Sequence, residues 1–410
     1  MNIRVGLMEQ RPQVSVWLHG RFRDPSGKEF APGLHEFRGP VRLTPLNSNR
    51  DSFVLPDVTI GIGFHWERRQ EQTFRGSLAI ERAGEGLTVI NEISVEDYVE
   101  SVIASEMSGD SPLEFLKAHA VISRSWVASQ VARPDASGAF RRETWSADGE
   151  REITAWYGRE SHTGFDVCAD DHCQRYQGIA RASSDNVRRA VRETAAEFLT
   201  WNREVCDARF SKCCGGVTEA FEAAWADRPV PYLRAVYDGD GEMPPVDEDW
   251  MRSSPPAWCH TSNRELLGRI LPGFDQETTD FFRWQVSSTP EGLGAIVRDR
   301  TGSDIGAITG LDPLERGRSG RIVRLRIRGR SGSIVVGKEL EIRRVLSESH
   351  LYSSAFVAAT EPERIVLHGA GWGHGVGLCQ IGAGAQANAG RNYRQILGHY
   401  YARATLEIRD

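Results

Sequence analysis

No run of about 18 apolar residues, the length a helix needs to cross a bilayer, occurs anywhere in the chain. The opening segment, MNIRVGLMEQRPQVSVWLHG, alternates apolar with polar side chains and lacks a charged head followed by an apolar core. The expectation is a chain with no membrane span and, as given, no signal peptide. Charge of one sign is also missing. The formal net charge is −6 and the pI about 6.1, so there is no electrostatic footprint of a dedicated nucleic-acid binder, and nucleic acid is not an expected partner. Cysteine is scarce, with seven in 410 residues: Cys168, Cys173, Cys206, Cys213, Cys214, Cys259 and Cys379. An odd count excludes a complete set of intrachain disulfides, and the close spacing of the first pair reads as a metal site.

What is present is enough apolar material, 40% of the residues, to build substantial cores, and the length suggests two or three domains. Residues 1–90 read as a β-rich region. IRVGLM, VSVWLH, DSFVLPDVTIGIGFHW and SLAIERAGEGLTVINEI are rich in β-branched and aromatic residues and are broken by glycine or proline. The period changes at Ser94. Val95, Tyr98, Val99, Val102 and Ile103 fall at helical spacing behind a Ser94 cap with Asp97 three residues on, which predicts a helix to about Met107. Gly109 and Asp110 break it, and Ser111-Pro112-Leu113-Glu114 starts a second helix that should run through SPLEFLKAHAVISRSWVASQVA.

Residues 133–165 read as a polar surface excursion, SSDNVRRAVRETA as a helix, FLTWNREVCDARFSKC as strand-like, and the proline-containing stretch 239–260 as a connecting loop. Between about 280 and 360, RWQVSS, GAIVRDR, RIVRLRIRG and GSIVVGKELEIRRV suggest strands with one buried and one solvated face. The tail, HGAGWGHGVGLCQIGAGAQANAGRNYRQILGHYY, reads as a glycine-rich loop followed by a helix. The expected fold class is α+β: a β-rich N-terminal region (1–90), a helical catalytic core begun at 91–240, a linker and β-rich insertion (241–360), and a C-terminal segment (361–410) that completes the core.

The clearest candidate for chemistry is Glu106, a carboxylate at the break between the two helices. Lys117 and Arg124, seven residues apart and hence on one helix face, would orient it or hold a substrate carboxylate. Spacing alone favours Glu106 as a cap or an ion-pair partner. A second candidate is His162, Cys168 and Cys173, with His172 as a further imidazole. Soft sulfur and nitrogen donors within a dozen residues suit zinc, a buried-thiol or disulfide reading being the alternative. Cys206, Cys213 and Cys214 would supply a further ligand or pair among themselves. The glycine-rich tail lacks the Lys-Ser/Thr ending of a phosphate loop. Its glycines would let backbone approach a ligand closely, or simply make a tight packing turn. Trp372, Tyr400 and Tyr401 are candidates for stacking on sugar faces or for burial.

YVESVIASEMSGDSPLEFLKAHAVISRSWVAS resembles the signature of the stage II sporulation protein D family, also called the amidase-enhancer family. CQRYQG (173–178), CCGGVTEAFEAAW (213–225), RSGRIVRLRIRG (318–329) and GWGHGVGLCQIGAGAQANAGRNYRQILGHYY (371–401) follow in that family's order. The resemblance covers about residues 90–405. It implies peptidoglycan lytic transglycosylase activity on glycan strands that have lost their stem peptides, with Glu106 as the catalytic acid and base, and a zinc site at His162, Cys168 and Cys173. Lys117, Arg124, Ser211, His374, Gln380 and Tyr401 become the candidate glycan-binding residues. The expected partners are peptidoglycan glycan strands and a cell-wall amidase, and the substrate places the protein outside the cytoplasm, in periplasm or cell wall. His119 stands where the family usually has glutamine, and Lys212-Cys213 where it has serine or threonine before a single cysteine. Two rival expectations are a non-catalytic wall-binding module that enhances a separate amidase, and a zinc hydrolase, which would need a general-base carboxylate in a metalloprotease motif that the sequence does not show.

Overall fold

The computed structural model describes all residues except 63–66, 133–138, 148, 158–161, 163, 180–183, 278–279 and 410, together with the side chains of 274 and 277. Its fold is α+β. The N-terminal region forms two sheets, antiparallel but for one added edge strand. One is four-stranded, ordered 33–37, 14–19, 52–60 and 68–74. The other is seven-stranded and centres on Asn2–Arg11, Gly86–Ser94 and Ser77–Ala83. The edge strand of the larger sheet is Val167–Cys168, which pairs parallel to Val5 and Gly6 and so docks the cysteine loop on the first strand of the chain. Ile3, Val5, Val16, Leu18, Phe53 and Val89 alternate inward from these strands and meet Tyr98, Val99 and Val102 of the first helix in one core.

The two expected helices are present as α1 (Val95–Glu106) and α2 (Leu113–Ala132). Ser94 caps α1, its Oγ accepting the Asp97 N–H. Helix α2 starts at Leu113, and the buried Ser111 hydroxyl has no hydrogen-bond partner among the described residues. Residues 115–116 and 118–130 of α2 are buried, which explains its apolar residues on all faces: one side packs on the N-terminal core and the other on a second core built with the C-terminal helices. The helix predicted near SSDNVRRAVRETA is α3 (Asp185–Glu193), packed on α1 and α2.

Three stretches differ from expectation. The 133–165 excursion lies partly outside the described residues. Its described part is a hairpin, Phe140–Trp145 and Arg151–Trp156, whose second strand pairs parallel to Gly332–Gly337 and extends the sheet made by Ile308–Arg316, Ile322–Gly329 and Gly332–Gly337. GAIVRDR, read as a strand, belongs to a helix, Pro290–Thr301. Thr289 caps it, Pro290 opens it, and Gly302 in the left-handed region (φ +74°) closes it, so caps outside the apolar run decide its conformation. The end of GSIVVGKELEIRRV is likewise helical, at Glu339–Val345.

The RIVRLRIRG strand shows the expected alternation. Ile322, Leu325 and Ile327 are buried, while Arg324, Arg326 and Arg328 reach Glu152, Glu150 and Asp312. The tail holds two helices, Gln380–Asn388 and Tyr393–Tyr400. They are separated at Gly390 (φ +92°), and the second carries an Asn392/Gln395 capping box. No helix among the described residues is long and apolar enough to cross a membrane.

Candidate functional site

Helix α1 ends at Glu106, where Met107 turns extended and the Ser108 N–H is taken by the Ile270 carbonyl. The segment 174–178 runs along the same side of α1 and is fastened rung by rung. Tyr98 Oη donates to Gln174 Oε1 (3.0 Å), Ser101 Oγ to the Gly178 carbonyl (2.8 Å), the Gln177 N–H to Ser105 Oγ (3.2 Å) and the Arg175 N–H to Glu106 Oε1 (2.9 Å). Glu106 is 8% exposed, and among the described residues no donor faces its second oxygen.

Two cations stand beside it, and neither is Lys117 or Arg124. Lys212 Nζ donates to the Glu106 backbone carbonyl (2.9 Å) and pairs with Asp275 (2.7 Å). The Arg175 guanidinium pairs with Asp171 (2.6 Å) and approaches Asp275 (3.5 Å). Because these cations are already matched by Asp171 and Asp275, burial prevails at Glu106. Desolvation raises its pKa, Arg175 and Lys212 pull it back, and Asp171 adds to the rise. Asp275 goes the other way. Burial pushes its carboxyl up, but Lys212 and Arg175 outweigh this and hold it low. The arrangement raises the pKa of one carboxyl group among charges that stay paired, the direction that favours a proton donor.

The other sequence-derived residues lie as follows. Lys117 is held between Glu114 (2.8 Å) and Glu193 (2.7 Å). Arg124 has no exposed side-chain surface and makes a bidentate pair with Glu96 (2.9 and 2.6 Å) plus a bond to the Glu197 carbonyl. The expectation that they face Glu106 is corrected, because the face they share on α2 turns toward α3 and the start of α1. Tyr401 is 1% exposed and donates to the Arg209 carbonyl while accepting the Leu378 N–H, so it packs the interior instead of offering a ring to a sugar.

Gln380 is 1% exposed and donates through Nε2 to His119 Nε2 (2.9 Å), whose Nδ1 meets Ser123 Oγ (3.1 Å). Burial, aided by Lys212, lowers the His119 pKa to about 3, consistent with a neutral imidazole that accepts from Gln380. Ser211, on a two-residue strand paired parallel to Leu378–Cys379, sits next to Lys212 in sequence, and its buried Oγ has no partner among the described residues. His374 is half-buried, accepts the Val376 N–H at Nδ1 (3.0 Å) and meets Trp225 edge-on. Trp372 stacks on Tyr352, and Tyr400 is buried with its hydroxyl on Asp238. The site residues that sequence reasoning missed are Arg175, Asp171 and Asp275, and Lys212 was noted only as a departure. Arg175 lies inside the CQRYQG block, whereas Asp275 has no local signal, its segment being brought to Glu106 by the Ser108–Ile270 contact.

His162, Cys168 and Cys173 do come together, with His172 as the fourth donor. The four ligand atoms lie within 4.8 Å of one another, His162 Nε2 being 3.1 Å and His172 Nδ1 3.6 Å from Cys173 Sγ. Two thiols and two imidazoles fit a tetrahedral zinc ion in donor type and number.

Fold and site together define an α+β protein whose buried glutamate is clamped by a cysteine loop. Residues 83–201, which contain both, match the family model described as stage II sporulation protein, and residues 219–377 match a domain of unknown function. The stage II sporulation protein D of Bacillus subtilis (strain 168) is 25% identical over 328 residues, covering 78% of this chain and 76% of that protein. An uncharacterized protein of Brachyspira hyodysenteriae is 26% identical over 328 residues (80% and 70%). The amidase enhancer of Bacillus subtilis is 26% identical over 271 residues, covering 60% of this chain and 35% of that protein. The chain thus carries a stage II sporulation protein domain and is similar, over more than half of its length, to stage II sporulation protein D and to the amidase enhancer.

Proposed function

We propose that the protein is a peptidoglycan lytic transglycosylase that cleaves the bond between N-acetylmuramic acid and N-acetylglucosamine in glycan strands stripped of stem peptides. The observation that carries this reading is the buried carboxyl of Glu106, raised by burial and held by one backbone N–H, with no donor on its other oxygen among the described residues. The reaction needs one acid–base group, since no water is activated and no glycosyl-enzyme forms. Glu106 would protonate the glycosidic oxygen as the C1–O bond breaks. The resulting carboxylate would then take the proton from the muramic 6-hydroxyl as that oxygen closes on C1, leaving a 1,6-anhydro end and a restored acid. The Arg175 N–H would stabilise the carboxylate between the two steps. The relatives' names, sporulation protein and amidase enhancer, support a role at the cell wall, and action on such a substrate would put the protein in the periplasm or cell wall. Zinc at His162, Cys168, His172 and Cys173 would cross-link the loop that presents the Arg175 N–H, a structural service.

The amidase-enhancer relative favours a second reading, in which the same site binds glycan without cutting it and recruits a separate amidase. Mass spectrometry of peptide-free strands incubated with wild type and with Glu106→Gln separates the two. Anhydro-muramyl ends from wild type, reduced about 10²- to 10⁴-fold in the variant, are expected for an acid–base residue. Reducing ends would mean a hydrolase, and intact strands retained equally by both proteins would mean a binding module.

A further inference from the structure

We infer that Cys214, Cys259, Cys379 and Asp238 form a second metal site, buried and thiol-rich, that takes zinc or another soft divalent cation. The four residues come from separate parts of the chain: the turn after Ser211-Lys212, the segment just after Tyr237, the proline-containing stretch 239–260, and the start of the helix Gln380–Asn388. Their ligand atoms nevertheless lie within 4.8 Å of one another, and each residue is at most 2% exposed. Cys213, fully buried, reaches the thiols of Cys259 and Cys379 from the side.

Buried thiols alone would be ordinary core residues. Three observations argue for a cation among them. First, Asp238 is fully buried, and its carboxylate is met by the Tyr400 hydroxyl (2.6 Å), the Cys259 N–H (3.0 Å) and the Cys259 thiol, all neutral donors. It has no cationic side-chain partner among the described residues, so its charge is left costly unless something positive shares the cluster. The helix start is shaped for that carboxylate, since a Cβ on Gly382 would fall 2.5 Å from Asp238 Oδ2. Second, Cys379 is the N-cap of its helix, and its sulfur accepts two backbone N–H groups, from Cys214 (3.2 Å) and Gly382 (3.4 Å). Backbone donors aimed at sulfur from a helix N-terminus favour a thiolate, the form that ligates metals. Third, the Cys214 and Cys259 sulfurs are 3.6 Å apart. That is far beyond a disulfide bond of about 2 Å and close to the roughly 3.8 Å that two sulfurs show when each lies about 2.3 Å from one tetrahedral ion.

Such an ion would pin the tail to the turn that follows Lys212, whose ammonium holds the end of α1. The inference stands whether or not Glu106 cleaves glycan, because its test reads metal and not activity. Elemental analysis of wild type purified after growth with zinc should give two equivalents per chain, and Cys259→Ser and Cys168→Ser/Cys173→Ser should each lose one. The Cys168→Ser/Cys173→Ser protein refolded with cobalt(II) should still show intense sulfur-to-cobalt charge-transfer absorption, which Cys259→Ser should weaken in wild type. If a variant fails to fold, cysteine-protection mapping of wild type decides, since bound metal should shield Cys214, Cys259 and Cys379 from alkylation until chelator is added. No such shielding, metal kept in full by a folded Cys259→Ser, or a Cys214–Cys259 disulfide in peptide maps made without reductant, would overturn the second site.

Discussion

At Glu106 the rise in pKa is also a statement about stability. A carboxyl whose native pKa lies above its unfolded value near 4.5 binds its proton more tightly when folded. Wild-type stability therefore falls as pH rises from about 4.5 through the native pKa, and the charge that the buried group takes on over that range is a liability. Glu106→Gln removes that liability. The variant should be more stable than wild type in denaturant titrations at pH 7, with the difference shrinking as pH falls through the native pKa toward about 4.5 and staying constant below it. A wild type as stable as the variant at pH 7 would mean that Arg175 and Lys212 fully compensate the ionised carboxyl. The residue itself was legible from the helix break that presents it. Its surroundings were legible only in part. The i, i+7 relation of Lys117 and Arg124 correctly put them on one face, but spacing along a helix does not say which neighbour that face meets, and here it meets Glu193 and Glu96. The cations that do reach Glu106 come from positions 175 and 212, at sequence separations that no local pattern encodes.

Among the elements, α1 and α2 were readable because break and apolar period agreed, and because almost every turn of α2 is buried between two cores. Pro290–Thr301 shows the opposite case. Within GAIVRDR the β-branched pair suggests a strand, while the decisive signals lie at its flanks, in the cap at Thr289, the proline at 290 and the left-handed Gly302. Thr289 Oγ accepts the Gly292 N–H at 3.1 Å, one of the orphan donors of the first turn. Thr289→Ala should therefore cost about 1 kcal/mol in urea unfolding with little change in the slope, whereas Thr289→Ser should be close to neutral. Equal losses for both would show that the methyl group, and not the cap, matters. The hairpin 140–156 escaped notice for a related reason. Its first strand is exposed along almost its whole length, so it carries no inward apolar alternation to read.

Across the whole molecule, the N-terminal sheets are joined to the site by strand pairing. Val167–Cys168 adds to the strand Asn2–Arg11, the Ala169 N–H bonds the Gly6 carbonyl, and Asp170 accepts the N–H groups of Gly61 and Ile62. The loop is thus held from one side by the first strands and, on the proposal made above, from within by zinc. Segment 174–178, which carries the Arg175 N–H to Glu106, emerges directly from it. Loss of the metal should then act locally. In Cys173→Ser, or in wild type dialysed against a chelator, amide exchange in 174–178 should accelerate by about tenfold or more, roughly 1.4 kcal/mol of lost local protection. Exchange in the strand Ile322–Gly329, in a separate core, should stay as in wild type. Equal acceleration in both segments would show that the ion holds the global fold, and no acceleration in either would show that strand pairing alone fixes the loop.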